Sequence, residues 1–156
     1  MSQTPEERLK SLGIELPLAA APAANYVPFV ITGNQLFISG QGPVGPNGFE
    51  YTGKVGDTRT VEDGIAAARL VAINILAQAK AATGDLGKIV RCVKLGGFVN
   101  CTPDFTEQPK IINGASDLMV EVLAEAGSHA RFAVGAPSLP FDMTVEIDAV
   151  FEIRAS

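Results

Sequence analysis

Residues 143–154, MTVEIDAVFEIR, alternate with a strict period of two. Val145, Ile147, Ala149, Phe151 and Ile153 fall on one side of an extended chain. Thr144, Glu146, Asp148, Val150 and Glu152 fall on the other. Successive side chains of a strand point to opposite faces, so this segment reads as a strand with one wholly apolar face. Such a face has to be covered by another layer, and two helical segments supply one.

The first helix is expected over 61–83. Thr60 followed by Asp63 resembles a capping box, with Asp in place of the usual Glu. Val61, Ile65, Ala68, Val71, Ala72, Ile75 and Ala79 mark one helical face, and Gly84 fits the end. The second helix is expected over about 109–126, ending at Gly127. A short third one starts at Thr4-Pro5-Glu6-Glu7, where a capping residue precedes proline and two acids, and stops at Gly13.

The remaining strands are expected as a hairpin over 27–40 turning at Gly33-Asn34, a strand over 88–99, and one over 130–136 before the last. The Gly- and Pro-rich 42–57 reads as loop. The order is β-β-α-β-α-β-β. It predicts one α+β domain over residues 1–156, with a mixed sheet, both long helices on one face, and residues 1–25 as an N-terminal helix and connector.

Parity then assigns faces. Leu36 and Ile38 oppose Phe37 and Ser39; Phe132 and Val134 oppose Arg131, Ala133 and Gly135. If the purely apolar sets pack on the helices, Arg131, Glu146 and Ser39 project together from the other face. That face also carries Val30, Phe37 and Val150, and a mixed apolar patch of this kind predicts that the sheets of several copies meet there. A charged pair on such a face needs a partner or a ligand. Spacing alone leaves two readings open: Arg131 and Glu146 pair with each other or with other charges at an interface, or they form a carboxylate-binding site.

Composition narrows the function classes. The net charge is −5, with 12 basic and 17 acidic residues and no basic stripe, so nucleic acid is not an expected partner. No uninterrupted apolar run reaches about 20 residues, and no membrane partner is expected. LPLAAAPAA at 16–24 imitates a signal-peptide core and cleavage site, but it follows a helix-like segment with two glutamates, which argues against that reading. Cys92, Cys101 and one histidine make neither a disulfide framework nor a zinc set, and predict reduced thiols in a cytoplasmic protein.

YVPFVITGNQLFISGQGPV at 26–44, VNCTPDF, INGASD, and the block that runs from ARFAVG through LP to VEIDAVFEI resemble the Rid (YjgF) family, once labelled endoribonuclease L-PSP. The likeness covers about residues 20–154, and the longer segment before INGASD resembles a subfamily of longer members. The resemblance implies a chorismate-mutase-like fold and a homotrimer with inward-facing sheets and clefts between subunits. It implies deamination of reactive 2-imino or enamino acids, such as 2-aminoacrylate, to 2-keto acids and ammonia. Arg131 then corresponds to the arginine that grips the substrate carboxylate, and Glu146 to the acid that orients water. Tyr26, Ser39, Gly40 and Asn113 correspond to cleft positions, and main-chain groups near Ala133 to a ligand contact.

The chemistry suits these residue types. A guanidinium holds a carboxylate in one plane through two parallel hydrogen bonds, which presents the C=N carbon to water. A carboxylate beside that carbon accepts the proton of the water. No metal or cofactor is needed, because the imine is already reactive. His129-Ala130-Arg131-Phe132-Ala133 departs from the family's Pro-Ala-Arg followed by Ser or Thr and then Cys or Thr. This keeps the grip but changes the pocket edge. Two further readings stand beside the deaminase: a non-catalytic small-carboxylate binder or sensor, and, against the acidic balance, an endoribonuclease.

Overall fold

The computed structural model describes residues 2–22 and 24–154. Helix α1 (Pro5–Ser11) opens with a full capping box between Thr4 and Glu7, and Gly13 ends its turn at φ 73°. Strands β1 (Phe29–Thr32) and β2 (Gln35–Gln41) form the expected hairpin. Of the two turn residues only Gly33 takes a positive φ, 60°, so Asn34 is not needed for that purpose. The segment expected as plain loop contains a small separate hairpin, β3 (Val44–Gly45) with β4 (Gly48–Phe49).

Helix α2 (Val61–Thr83) has the predicted bounds. Thr60 and Asp63 cap each other, and Gly84 closes the helix at φ 76°. It is long and apolar enough to cross a bilayer on length and composition. Its apolar side is nevertheless spent on the core, where Ala67, Ala68, Val71, Ala72, Ile75, Leu76 and Ala79 are buried. Strand β5 (Ile89–Asn100) follows, then α3 (Gln108–Leu123). A single 3₁₀ segment, Ala124–Gly127, replaces the expected last turn of that helix. Strands β6 (Ala130–Ala136) and β7 (Val145–Ile153) complete the chain.

The main sheet runs β1-β2-β7-β5-β6, and only the β5–β6 pair is parallel. Strand β7 is central, and its residues Val145, Ile147, Ala149, Phe151 and Ile153 are buried with Leu36, Ile38, Leu95 and Val99 against both long helices. This is the predicted α+β arrangement. The other sheet face is open in the protomer. Val30 and Phe37 are exposed on it as expected and Val150 is half-buried, while Phe98 and Val134 are exposed there in addition.

Strand β6 corrects the reading of faces. Cross-strand partners in register share a sheet face. Arg131 pairs with Leu95 and through it with Ala149, both buried in the core. Phe132 pairs with Gly96 and Asp148, and Val134 with Phe98 and Glu146, all on the open face. Arg131, Ala133 and Gly135 therefore face the helix layer, and Phe132 and Val134 do not. The physical reason is the closeness of α3. A Cβ on Gly135 would lie 2.8 Å from Cys101 Sγ and 2.9 Å from Gln108 Nε2, so only small side chains fit there. Phe132 turns outward, packs edge-on to Phe98 at 5.3 Å, and lies under the Lys94 ammonium.

Candidate functional site

The predicted residues form two groups on opposite faces of one sheet. The first surrounds Glu146. Its strand partner β2 breaks register between Ile38 and Gln41, and this bulge brings Gly40 against the carboxylate. A Cβ on Gly40 would lie 2.1 Å from Glu146 Oε2, so glycine is what makes room for the acid. A cavity of about 160 Å³ opens here, lined by Glu146, Gly40, Tyr26, Phe49, Phe141 and Met143 among others. Ser39 sits beside it, but its hydroxyl donates to Val27 O at 2.8 Å. That bond ties the 27–28 segment down, so Ser39 shapes the wall that Tyr26 stands on.

The second group lies at the edge strand. Arg131 reaches from β6 to α3, where Nη1 donates to Ser116 Oγ at 2.9 Å and Nη2 to the Pro109 carbonyl at 3.1 Å. Both acceptors are neutral. Neither Arg131 nor Glu146 takes part in the four ion pairs found among the described residues. The reading of these two as a structural pair within one chain is thereby removed, since they also face opposite ways. Asn113 is exposed on α3, between Pro109 and Ser116 in sequence. It is inside the helix and does not cap it. Ala133 lies two residues along β6 on the same face as Arg131 and packs on the core.

The sequence patterns single out neither Ser116 nor a role for His129. His129 is half-buried, and its Nε2 lies 2.8 Å from the same Ser116 hydroxyl. No spacing rule joins a helical serine to a strand arginine fifteen residues later, so only the fold shows the link. A second cavity, about 510 Å³, runs past Gly135, Cys101, Gln108 and Lys54 and contains none of the predicted residues. Among the described residues there is no cluster of three or more metal-ligating side chains.

The family model described as "YjgF/chorismate_mutase-like, putative endoribonuclease" matches residues 6–152. The chain belongs to the YjgF family. Protein TCP17 of Trypanosoma cruzi is 51% identical over 147 residues, covering 94% of this chain and 92% of that protein. The crystal structure of Atu1372 from Agrobacterium tumefaciens, a protein described as of unknown function, has 54% identity and a TM-score of 0.90. The match covers 96% of this chain and 92% of that one. Escherichia coli TdcF, solved with bound serine, matches at 28% identity and TM-score 0.62, over 88% and 94% of the two chains.

Cys92 and Cys101 are both free and buried. Burial pushes the Cys92 thiol up to about 12, so it stays protonated and inert at neutral pH. Glu146 is displaced the same way. Burial, and then the nearby Asp148 carboxylate, raise its pKa above the ordinary 4.5.

The consequence for stability has a definite sign. A raised folded pKa means that ionising Glu146 opposes folding. Its contribution is fully present below the unfolded value and is lost as pH rises through the folded one. Glu146→Gln, which cannot ionise, is expected to melt above wild type at pH 7 to 8. The gap should close on acidification to about pH 4. Thermal melts across this range check it, and a gap that widens in acid contradicts the assignment.

Proposed function

We propose that the protein is a deaminase of small reactive 2-imino or enamino acids, working as a homotrimer whose clefts join the two half-sites of neighbouring protomers. Arg131 of one copy grips the carboxylate, with Asn113 and the main chain near Ala133 at its side. Tyr26, Gly40 and Glu146 of the next copy close the cleft. The carrying observation is the guanidinium of Arg131, held in place at a sheet edge by two neutral acceptors and, among the described residues, not ion-paired with a carboxylate. The serine bound to TdcF supports the same scale of ligand, a small amino acid with one carboxylate.

The reaction adds water across the C=N bond of the substrate. The oxygen bonds to C2 as one water proton passes to Glu146 and the C=N electron pair moves onto the iminium nitrogen, giving a carbinolamine. Glu146 returns that proton to the amine, and the C–N bond breaks to release ammonia. The hydroxyl gives its remaining proton to solvent as the C=O forms. The 2-keto acid remains. A carboxyl with a raised pKa suits both transfers, since it accepts and returns a proton near neutral pH more readily than an ordinary glutamate. Clamping the substrate plane supplies the positioning.

Phe132 faces away from Arg131, so its departure from the family pattern changes the sheet face and leaves the grip untouched. Ala133 does lie on Arg131's side, and its missing polar group favours a second reading, a carboxylate binder without turnover. A coupled assay separates the two. A pyridoxal-phosphate dehydratase generates 2-aminoacrylate, and keto-acid formation is followed by absorbance. The deaminase reading expects a rate above the uncatalysed one, returned to it by Arg131→Ala or Glu146→Gln. No acceleration, with Arg131-dependent thermal stabilisation by 2-oxobutanoate, selects the binder. Neither effect would end both readings.

A further inference from the structure

We propose that His129 is a positioning residue that fixes the plane of the Arg131 guanidinium through the Ser116 hydroxyl. This deepens the carboxylate-clamp reading and rests on it. The Gly127 carbonyl lies 2.5 Å from His129 Nδ1. A carbonyl oxygen only accepts, so Nδ1 carries a ring proton, and in the neutral imidazole Nε2 is then the acceptor. Ser116 Oγ is 2.8 Å from that Nε2 and 2.9 Å from Arg131 Nη1. A guanidinium only donates, so the hydroxyl accepts from Arg131 and sends its own proton to His129.

The result is a one-way chain: Arg131 to Ser116, Ser116 to His129, His129 to Gly127. Every donor in it meets an acceptor. Without an acceptor at His129, the Ser116 hydroxyl is free to rotate and to bond back to its own helix, as serines within helices do. Arg131 would then keep one firm anchor, the Pro109 carbonyl, and could swing about it. Two anchors on two nitrogens define a plane; one does not. The remaining N–H groups stay available for a ligand carboxylate, and a two-bond grip depends on their plane. Ser116, His129 and Gly127 come from α3 and from the turn that feeds β6, so the segment entering the strand also sets the clamp.

The chain has one histidine, so its ring nitrogens give an unambiguous NMR signature. Long-range ¹H–¹⁵N correlation is expected to show a protonated Nδ1 and a bare Nε2. The Arg131 guanidinium signals should shift in His129→Phe and in Ser116→Ala. They should return in His129→Gln, whose amide oxygen can accept from Ser116. By calorimetry, 2-oxobutanoate affinity should fall about 3- to 10-fold in His129→Phe, the size of one weakened hydrogen bond, and recover to within about twofold in His129→Gln. Where turnover is measured, KM should rise and kcat should fall in His129→Phe, and both should recover in His129→Gln.

An Nε2–H tautomer overturns the proposal. So do unchanged Arg131 signals in both His129→Phe and Ser116→Ala, each shown to be folded by its melting temperature. A wild type that does not bind 2-oxobutanoate counts against the clamp reading alone. The tautomer and the guanidinium signals then still decide the role of His129.

Discussion

Arg131→Ala is expected to weaken 2-oxobutanoate binding by roughly 100-fold, about 3 kcal/mol, while the protein stays folded. The two effects separate for a structural reason. A carboxylate gripped by a guanidinium gains two charge-assisted hydrogen bonds, each worth about 1.5 kcal/mol or more. The fold loses much less, because Arg131 sits on an edge strand and bonds one hydroxyl and one carbonyl. Removing those partly exposed contacts costs on the order of 1 kcal/mol. Arg131→Lys should recover little of the affinity, since an ammonium keeps the charge and loses the plane. Isothermal calorimetry on the three proteins measures this. Equal affinity in wild type and Arg131→Ala would remove the clamp.

The second large effect concerns the helix layer. Gly114→Ala is expected to lower the melting temperature by about 5–10 °C, from a loss of roughly 2–3 kcal/mol. Alanine is the better helix former by about 1 kcal/mol, so propensity predicts the opposite sign. Contact decides the outcome. A Cβ at Gly114 would stand 2.2 Å from the Ile65 carbonyl oxygen of α2, a backbone atom that cannot rotate away. The same crossing brings Gly64 of α2 against Ile111, where an added Cβ would lie 2.7 Å from Cδ1. A glycine on each helix at the crossing lets α2 and α3 approach closely, and a side chain at either wedges them apart. Thermal melts of the intact protein check it, and an unchanged or raised melting temperature would mean that the helices do not meet this tightly.

The close approach of α3 also explains which parts of the fold were legible in the sequence. Helix α2 was readable to the residue, because its ends are written locally in Thr60, Asp63 and Gly84. Strand β7 was readable because its two faces differ so sharply in polarity. Strand β6 was not. Both of its faces are apolar enough to pass for core, and a one-position error in choosing between them inverts every side chain. The rule that larger apolar residues face inward failed there, since α3 leaves space only for Ala133 and Gly135 while the open face takes Phe132 and Val134.

The same inversion governed the site. Gly40 beside Glu146 and Tyr26 at one cavity were recoverable from motif order, whereas the placement of Arg131 was not. Parity put Arg131 and Glu146 on one face, and the register puts them on two. The chain Arg131–Ser116–His129 depends on how a helix lies over a strand, and no local pattern encodes that. The small β3–β4 hairpin escaped for a simpler reason: two-residue strands are too short to show alternation.

A crystal structure of the protein soaked with 2-oxobutanoate decides whether Arg131 is a carboxylate clamp. The carboxylate is expected edge to edge with the Arg131 guanidinium of one protomer and in its plane, with the C2 carbon facing Glu146 of another. A guanidinium found paired with a protein carboxylate across the interface, with the keto acid elsewhere or absent, would contradict it.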